Sequence, residues 1–130
     1  MKIIYRLFCV LMLVHVGVKA QDNKGSNPEE KKVLRLINAL PEVIAENKFR
    51  KKAGYKSLLR AYIQNTPSKE HDYYSVTVSE EKNERLFTYD WYEVNPNTYV
   101  IRYWDFINDK TMSLQEWRKQ LRAKSPKKVK

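Results

Sequence analysis

The sequence predicts an α+β domain in which one long, kinked N-terminal helix packs on a three- to four-stranded antiparallel meander sheet and a short C-terminal helix closes the fold. Three observations carry this prediction. Apolar residues recur at three- and four-residue spacing from Val33 to Ile44, the period drops to two between Leu59 and Trp104, and Ser113-Leu114-Gln115-Glu116 opens a second helical pattern.

Residues 1–20 read as an export signal ahead of the domain. Lys2 and Arg6 precede an apolar run over residues 7–18, and Val18-Lys19-Ala20 offers small residues where a signal peptidase cuts. The run falls short of the roughly 20 apolar residues that a bilayer crossing needs, so no transmembrane segment is expected. Cleavage after Ala20 would release residues 21–130 to the periplasm or the medium and remove Cys9, the only cysteine. The remaining chain is long enough to bury its own core, and it must do so without a disulfide.

Residues 21–27 are polar and unpatterned, as in a flexible spacer, and the domain is expected over residues 28–123. Asn27-Pro28-Glu29-Glu30 supplies an N-cap, a proline at the first helical position and two acids in the first turn. Val33, Leu36, Ile37, Leu40, Val43 and Ile44 then form one apolar stripe. Pro41 lies inside the stripe and should kink or restart the helix, with Leu40 as the boundary; Gly54 ends it. Leu59, Ala61 and Ile63 alternate with Arg60, Tyr62 and Gln64 as in a strand, although Leu58, Leu59, Tyr62 and Ile63 would also serve a short helix. After a polar loop over residues 66–72, Tyr74, Val76 and Val78 share one strand face. A charged turn is expected at residues 80–84. Phe87, Tyr89 and Trp91 then fall on one side of the next strand, Asn95-Pro96-Asn97-Thr98 reverses the chain, and Tyr99, Ile101 and Tyr103 alternate with Val100, Arg102 and Trp104. Asn108-Asp109-Lys110 makes a turn, and the capping box at Ser113 starts a helix with Leu114, Trp117 and Leu121 facing inward and Met112 stapled to Trp117. Residues 124–130 read as a disordered basic tail.

The formal charge of +10 is unevenly distributed. Lys2, Arg6 and Lys19 belong to the leader, and seven basic residues follow Glu116, so residues 21–117 hold 15 basic and 15 acidic groups. A neutral body with a basic tail does not form a nucleic-acid face, so no specific nucleic-acid binding is expected. The cluster Lys48, Arg50, Lys51, Lys52 and Lys56 reads as a solvated helix end favoured by the helix dipole.

Few groups are available for chemistry. In residues 21–130 the only histidine is His71, in a polar loop, and there is no thiol and no Gly-x-Ser-x-Gly turn. No metal, cofactor or catalytic residue is therefore assigned, and three glycines in all leave no glycine-rich phosphate loop. Asp90 is expected to face solvent, opposite Phe87, Tyr89 and Trp91. The aromatics are the unusual feature: Tyr73, Tyr74, Tyr89, Trp91, Tyr92, Tyr99, Tyr103, Trp104 and Phe106 crowd into three strands. Some of them serve cross-strand pairs, and the surplus suits a partner surface, for which Trp91, Tyr92, Arg102 and Trp104 are the expected binding residues.

Tyr73-Tyr74-Ser75-Val76-Thr77-Val78 and Tyr92-Glu93-Val94-Asn95-Pro96-Asn97-Thr98-Tyr99-Val100-Ile101 resemble the aromatic-rich strand and the Asx-led hairpin of PepSY-type domains of exported bacterial proteins. The family usually has glycine after the turn threonine, where this chain has Tyr99. The resemblance implies a non-catalytic module related to propeptide domains that restrain proteases. The expected function is thus a small exported binding module, inhibitory toward a protein partner. The alternatives are a cystatin-like or NTF2-like cone enclosing a ligand pocket, and contact with anionic surfaces through Lys124, Lys127, Lys128 and Lys130.

Overall fold

The computed structural model describes residues 21–125, so the expected leader at residues 1–20 and the tail residues Lys127, Lys128 and Lys130 lie outside the described residues. Three helices, α1 (Pro28–Asn38), α2 (Pro41–Ala53) and α3 (Leu114–Lys124), accompany five strands, β1 (Leu59–Asn65), β2 (Tyr74–Lys82), β3 (Arg85–Val94), β4 (Ile101–Asp105) and β5 (Lys110–Ser113). The strands form one antiparallel sheet in sequence order.

The expected long helix is instead two short ones, and the expected sheet has an additional strand. Pro41 is responsible for the first difference: its ring disfavours helical backbone at the preceding residue, and Leu40 is extended at φ −60°, ψ 136°. The chain therefore restarts at Pro41 rather than bending. Val33, Leu34, Ile37, Leu40 and Val43 are buried, whereas Ile44 is 55% exposed, because the restart turns the second half of the stripe away from the core. Gly54 ends α2 in the left-handed region at φ 79°. The second difference arises at β5, a four-residue strand that runs directly into α3, where Ser113 both ends the pairing and accepts the Glu116 N–H.

Residues 21–27 are tied to the sheet. Asp22 exchanges backbone hydrogen bonds with Ile63 at 3.3 and 2.7 Å, and its carboxylate accepts the N–H groups of Lys24 and Gly25. The first of these bonds holds the Asp22 pKa below its usual range. Gly25 has φ 76°, and a Cβ there would lie 2.8 Å from the Lys31 nitrogen, so only glycine fits this turn. Asn27 caps α1 through the Glu30 N–H, and the Glu30 carboxylate reaches back to the Ser26 N–H.

β2 and β3 continue past the expected charged turn and meet in a two-residue hairpin, Asn83-Glu84, with φ of 52° and 60°. Both angles suit the right-handed twist of the flanking strands. Glu80 stays in the sheet because a cation meets it: Arg50 Nη1 lies 3.3 Å from its carboxylate, an ion contact without hydrogen-bond alignment, while Tyr89 and Ser57 donate hydroxyls to it. Arg50 is 2% exposed, sits 5.0 Å from the rings of both Tyr55 and Tyr89, and belongs to the fold rather than to a basic surface.

All three helices lie on one face of the sheet. Val33, Ile37, Val76, Val78, Tyr92 and Val94 have no exposed surface and join Met112 and Trp117 in one core. Each such aliphatic side chain contributes roughly 1.5–3 kcal/mol by burial. Trp117 of α3 stacks on Tyr103 at 4.2 Å with 8° between planes, and Arg118 clamps Glu42 of α2 with two hydrogen bonds. Lys124 is the last residue of α3, so the helix takes in the start of the expected disordered tail.

Candidate binding face

Directly paired residues share a face of a sheet, so register alone assigns every side chain to the helix-covered or the open side. Tyr62, Thr77, Trp91, Trp104 and Thr111 make one row across all five strands on the side that none of the described helices covers, with Tyr62 and Thr77 buried and the tryptophans half-buried. Ser75, Glu93, Arg102 and Ser113 make the neighbouring row. Three of the four expected binding residues, Trp91, Arg102 and Trp104, are thus brought together. Tyr92 is not among them. It follows Trp91 in the strand and must point to the opposite face, where it is fully buried against Tyr103 and Trp117 at ring separations of 5.7 and 5.8 Å.

On the open face, Trp91 and Trp104 meet edge to face at 5.2 Å, and Phe106 completes the cluster, stacked on Trp91 at 5.8 Å and edge-on to Trp104 at 5.5 Å. A rigid turn holds Phe106 in place. Asp105 accepts the N–H groups of Ile107 and Asn108 and the side-chain amide of Asn108, which together hold its carboxyl below the usual range. Phe106 remains 62% exposed and Ile107 91% exposed. The Trp104 indole N–H donates to Asp109 at 3.0 Å, fixing the ring across the sheet.

Beside Trp104 is an open hollow of about 230 Å³ lined by Asn65, His71, Tyr73, Ser75, Glu93, Trp104, Asp109 and Thr111. Thr111 donates to Glu93 at 3.3 Å, while burial and then the Glu93 carboxylate push the Tyr73 phenol up. His71, exposed in the loop after β1, packs against Tyr73 at 5.9 Å and lines the rim of this hollow. Asn65 ends β1, His71 lies in the loop after it and Asp109 in the β4–β5 turn, so only the assembled sheet brings them together here, whereas Phe106 was visible as part of the aromatic excess.

Asp90 departs from its expected exposure. A bulge leaves Tyr89 unpaired between the pairs Val78–Asp90 and Ser79–Thr88, so alternation fails there: Phe87 is on the helix side and Trp91 on the open side. Asp90 still alternates with Trp91 and shares its face with Tyr92 and Val94, so it lies half-buried on the helix side, where burial raises its pKa despite a 3.2 Å hydrogen bond donated by the Tyr103 hydroxyl. Burial, followed by the Asp90 charge, pushes the Tyr103 phenol up to about 12.

Among the described residues, no helix is long and apolar enough to cross a membrane, and no group of three or more His, Cys, Asp or Glu side chains could hold a metal ion. No family model, curated protein or solved structure matches the chain.

Proposed function

We propose that the protein is a small exported binding module, without catalytic chemistry of its own, that takes a segment of a protein partner on the open sheet face around Trp91, Arg102 and Trp104. The observation that carries this reading is the Trp91–Trp104–Phe106 cluster. Three large rings are locked against one another on a face that none of the described helices covers, and exposed Arg102 lies one row away. Aromatic and arginine side chains on a rigid platform lose little conformational freedom on association and dominate binding energy at protein interfaces. The polar hollow next to Trp104 would accept a hydrogen-bonding side chain of the same segment.

The test is affinity capture from the producing cell's envelope and culture fluid with the wild-type protein and with the double variant Trp104→Ala/Arg102→Ala. Circular dichroism verifies that both are folded. The expected outcome is a partner retained by the wild type and lost, or weakened at least tenfold, with the variant. An unchanged set of retained proteins would remove the open face as the binding surface.

A further inference from the structure

The helix-covered side of the sheet carries a second cleft of about 440 Å³, between α2, α3 and the middle of β3 and β4. Its walls are apolar and aromatic: Val43, Leu59, Val78, Tyr89, Trp117 and Leu121. Its acids are Glu42, Glu46 and Asp90, and they differ in what they meet. Arg118 clamps Glu42, and Arg50 Nε lies 3.1 Å from Glu46. Asp90 forms no ion pair with any of the described residues and receives only the Tyr103 hydroxyl. The cleft is thus left with one uncompensated, half-buried carboxylate among aromatic rings.

The Tyr92 hydroxyl is not part of this lining: it is fully buried and has no hydrogen-bond partner among the described residues.

We propose that this cleft binds the ammonium group of an organic amine, with Asp90 as counter-ion, the Tyr103 hydroxyl oxygen beside it as a further acceptor, and Tyr103, Trp117 and Tyr89 as the surrounding rings. Each feature matches that chemistry. A desolvated carboxylate favours a cation strongly, aromatic faces attract ammonium groups, and a phenolic oxygen accepts an N–H. The apolar walls formed by Val43, Leu59, Val78 and Leu121 then suit a hydrocarbon body on the amine. Such a group is carried by a free amine and equally by a lysine side chain of a peptide. The site lies on the opposite side of the sheet from Trp104, so occupancy here does not depend on the open face.

The test titrates the full chain, freed of residues 1–20 where the export signal is cleaved, with 2-phenylethylamine at neutral pH. Trp117 fluorescence and calorimetry report binding, and 2-phenylethanol is the uncharged control. An Nα-acetyl-lysine amide peptide distinguishes the two sources of the ammonium group. Saturable binding of the amine or the lysine peptide is expected, at least tenfold tighter than that of the alcohol. Asp90→Asn should weaken it at least tenfold, Tyr103→Phe severalfold, and Trp104→Ala not at all. Asp90→Asn removes an unfavourably buried charge and should remain folded, so its loss of binding is interpretable. Equal affinity for amine and alcohol, unchanged affinity in Asp90→Asn, or no binding by either ammonium probe would overturn the proposal.

Discussion

The Tyr92 hydroxyl allows a direct test of how this core is held together. Tyr92 has no exposed surface, its ring meets Tyr103 and Trp117 edge to face, and its hydroxyl has no hydrogen-bond partner among the described residues. Burying a hydroxyl without a partner costs about 1–3 kcal/mol relative to leaving it in water. Tyr92→Phe deletes that oxygen and keeps both ring contacts, so the small void left behind is the only opposing effect, at about 24 cal/mol per Å³. The variant should therefore be more stable by about 1 kcal/mol, which for a domain of this size raises Tm by roughly 4–8 °C. Urea and thermal denaturation at neutral pH without added amine measure it. A loss of about 1 kcal/mol or more would refute the reasoning, because it would show that the hydroxyl is satisfied in the folded protein.

Two further predictions follow from the backbone and from Asp90. Glu84 holds φ 60° at the second central position of the β2–β3 hairpin, where glycine is the preferred residue, so Glu84→Gly should raise stability by about 0.5–1 kcal/mol in urea melts; a decrease would contradict the turn geometry. Burial raises the Asp90 pKa above its ordinary 3.8, and the nearby Glu42 charge adds to this. A raised folded-state pKa gives stability that is fully present below the unfolded value and is lost as pH rises through the folded value. Asp90→Asn should therefore gain on the wild type as pH climbs from below 3.8 toward neutrality, in paired urea melts that cancel the opposite trend of Glu42, Glu80 and Asp105. A difference that stays flat with pH would show that Asp90 is not desolvated.

Much of the architecture could be read from local signals. Asn27-Pro28 and Ser113 mark helix starts because a side-chain oxygen must satisfy an orphan N–H, and that requirement depends on a few adjacent residues. Period-two patterning marked β2 to β4 and left β1 open between a strand and a short helix; an antiparallel meander of such strands then needs no long-range information. What could not be read depended on tertiary context. β5 is four residues long and exists because β4 offers it an edge, and Glu80 belongs to a strand only because Arg50 reaches it from α2. Tyr92 is the one misplacement that local reasoning could have avoided. Adjacent strand residues face opposite sides, so Trp91 and Tyr92 could never share a surface.

The bulge at Tyr89 links the two proposed surfaces. Because one residue of β3 is left unpaired between Ser79–Thr88 and Val78–Asp90, the strand changes which of its side chains face the helices within three residues. Regular pairing throughout β3 would keep Phe87, Tyr89 and Trp91 on one side. With the bulge, Trp91 joins Trp104 on the open face, while Tyr89 reaches Glu80 and the wall of the helix-side cleft. Asp90 stays on the helix face with Tyr92, two residues along, where the Tyr103 hydroxyl meets its carboxylate. Alternation at Asp90 and Trp91 thus sets an aromatic platform and an acidic, aromatic-lined cleft back to back across one strand, and the extra residue turns Phe87 away from the platform.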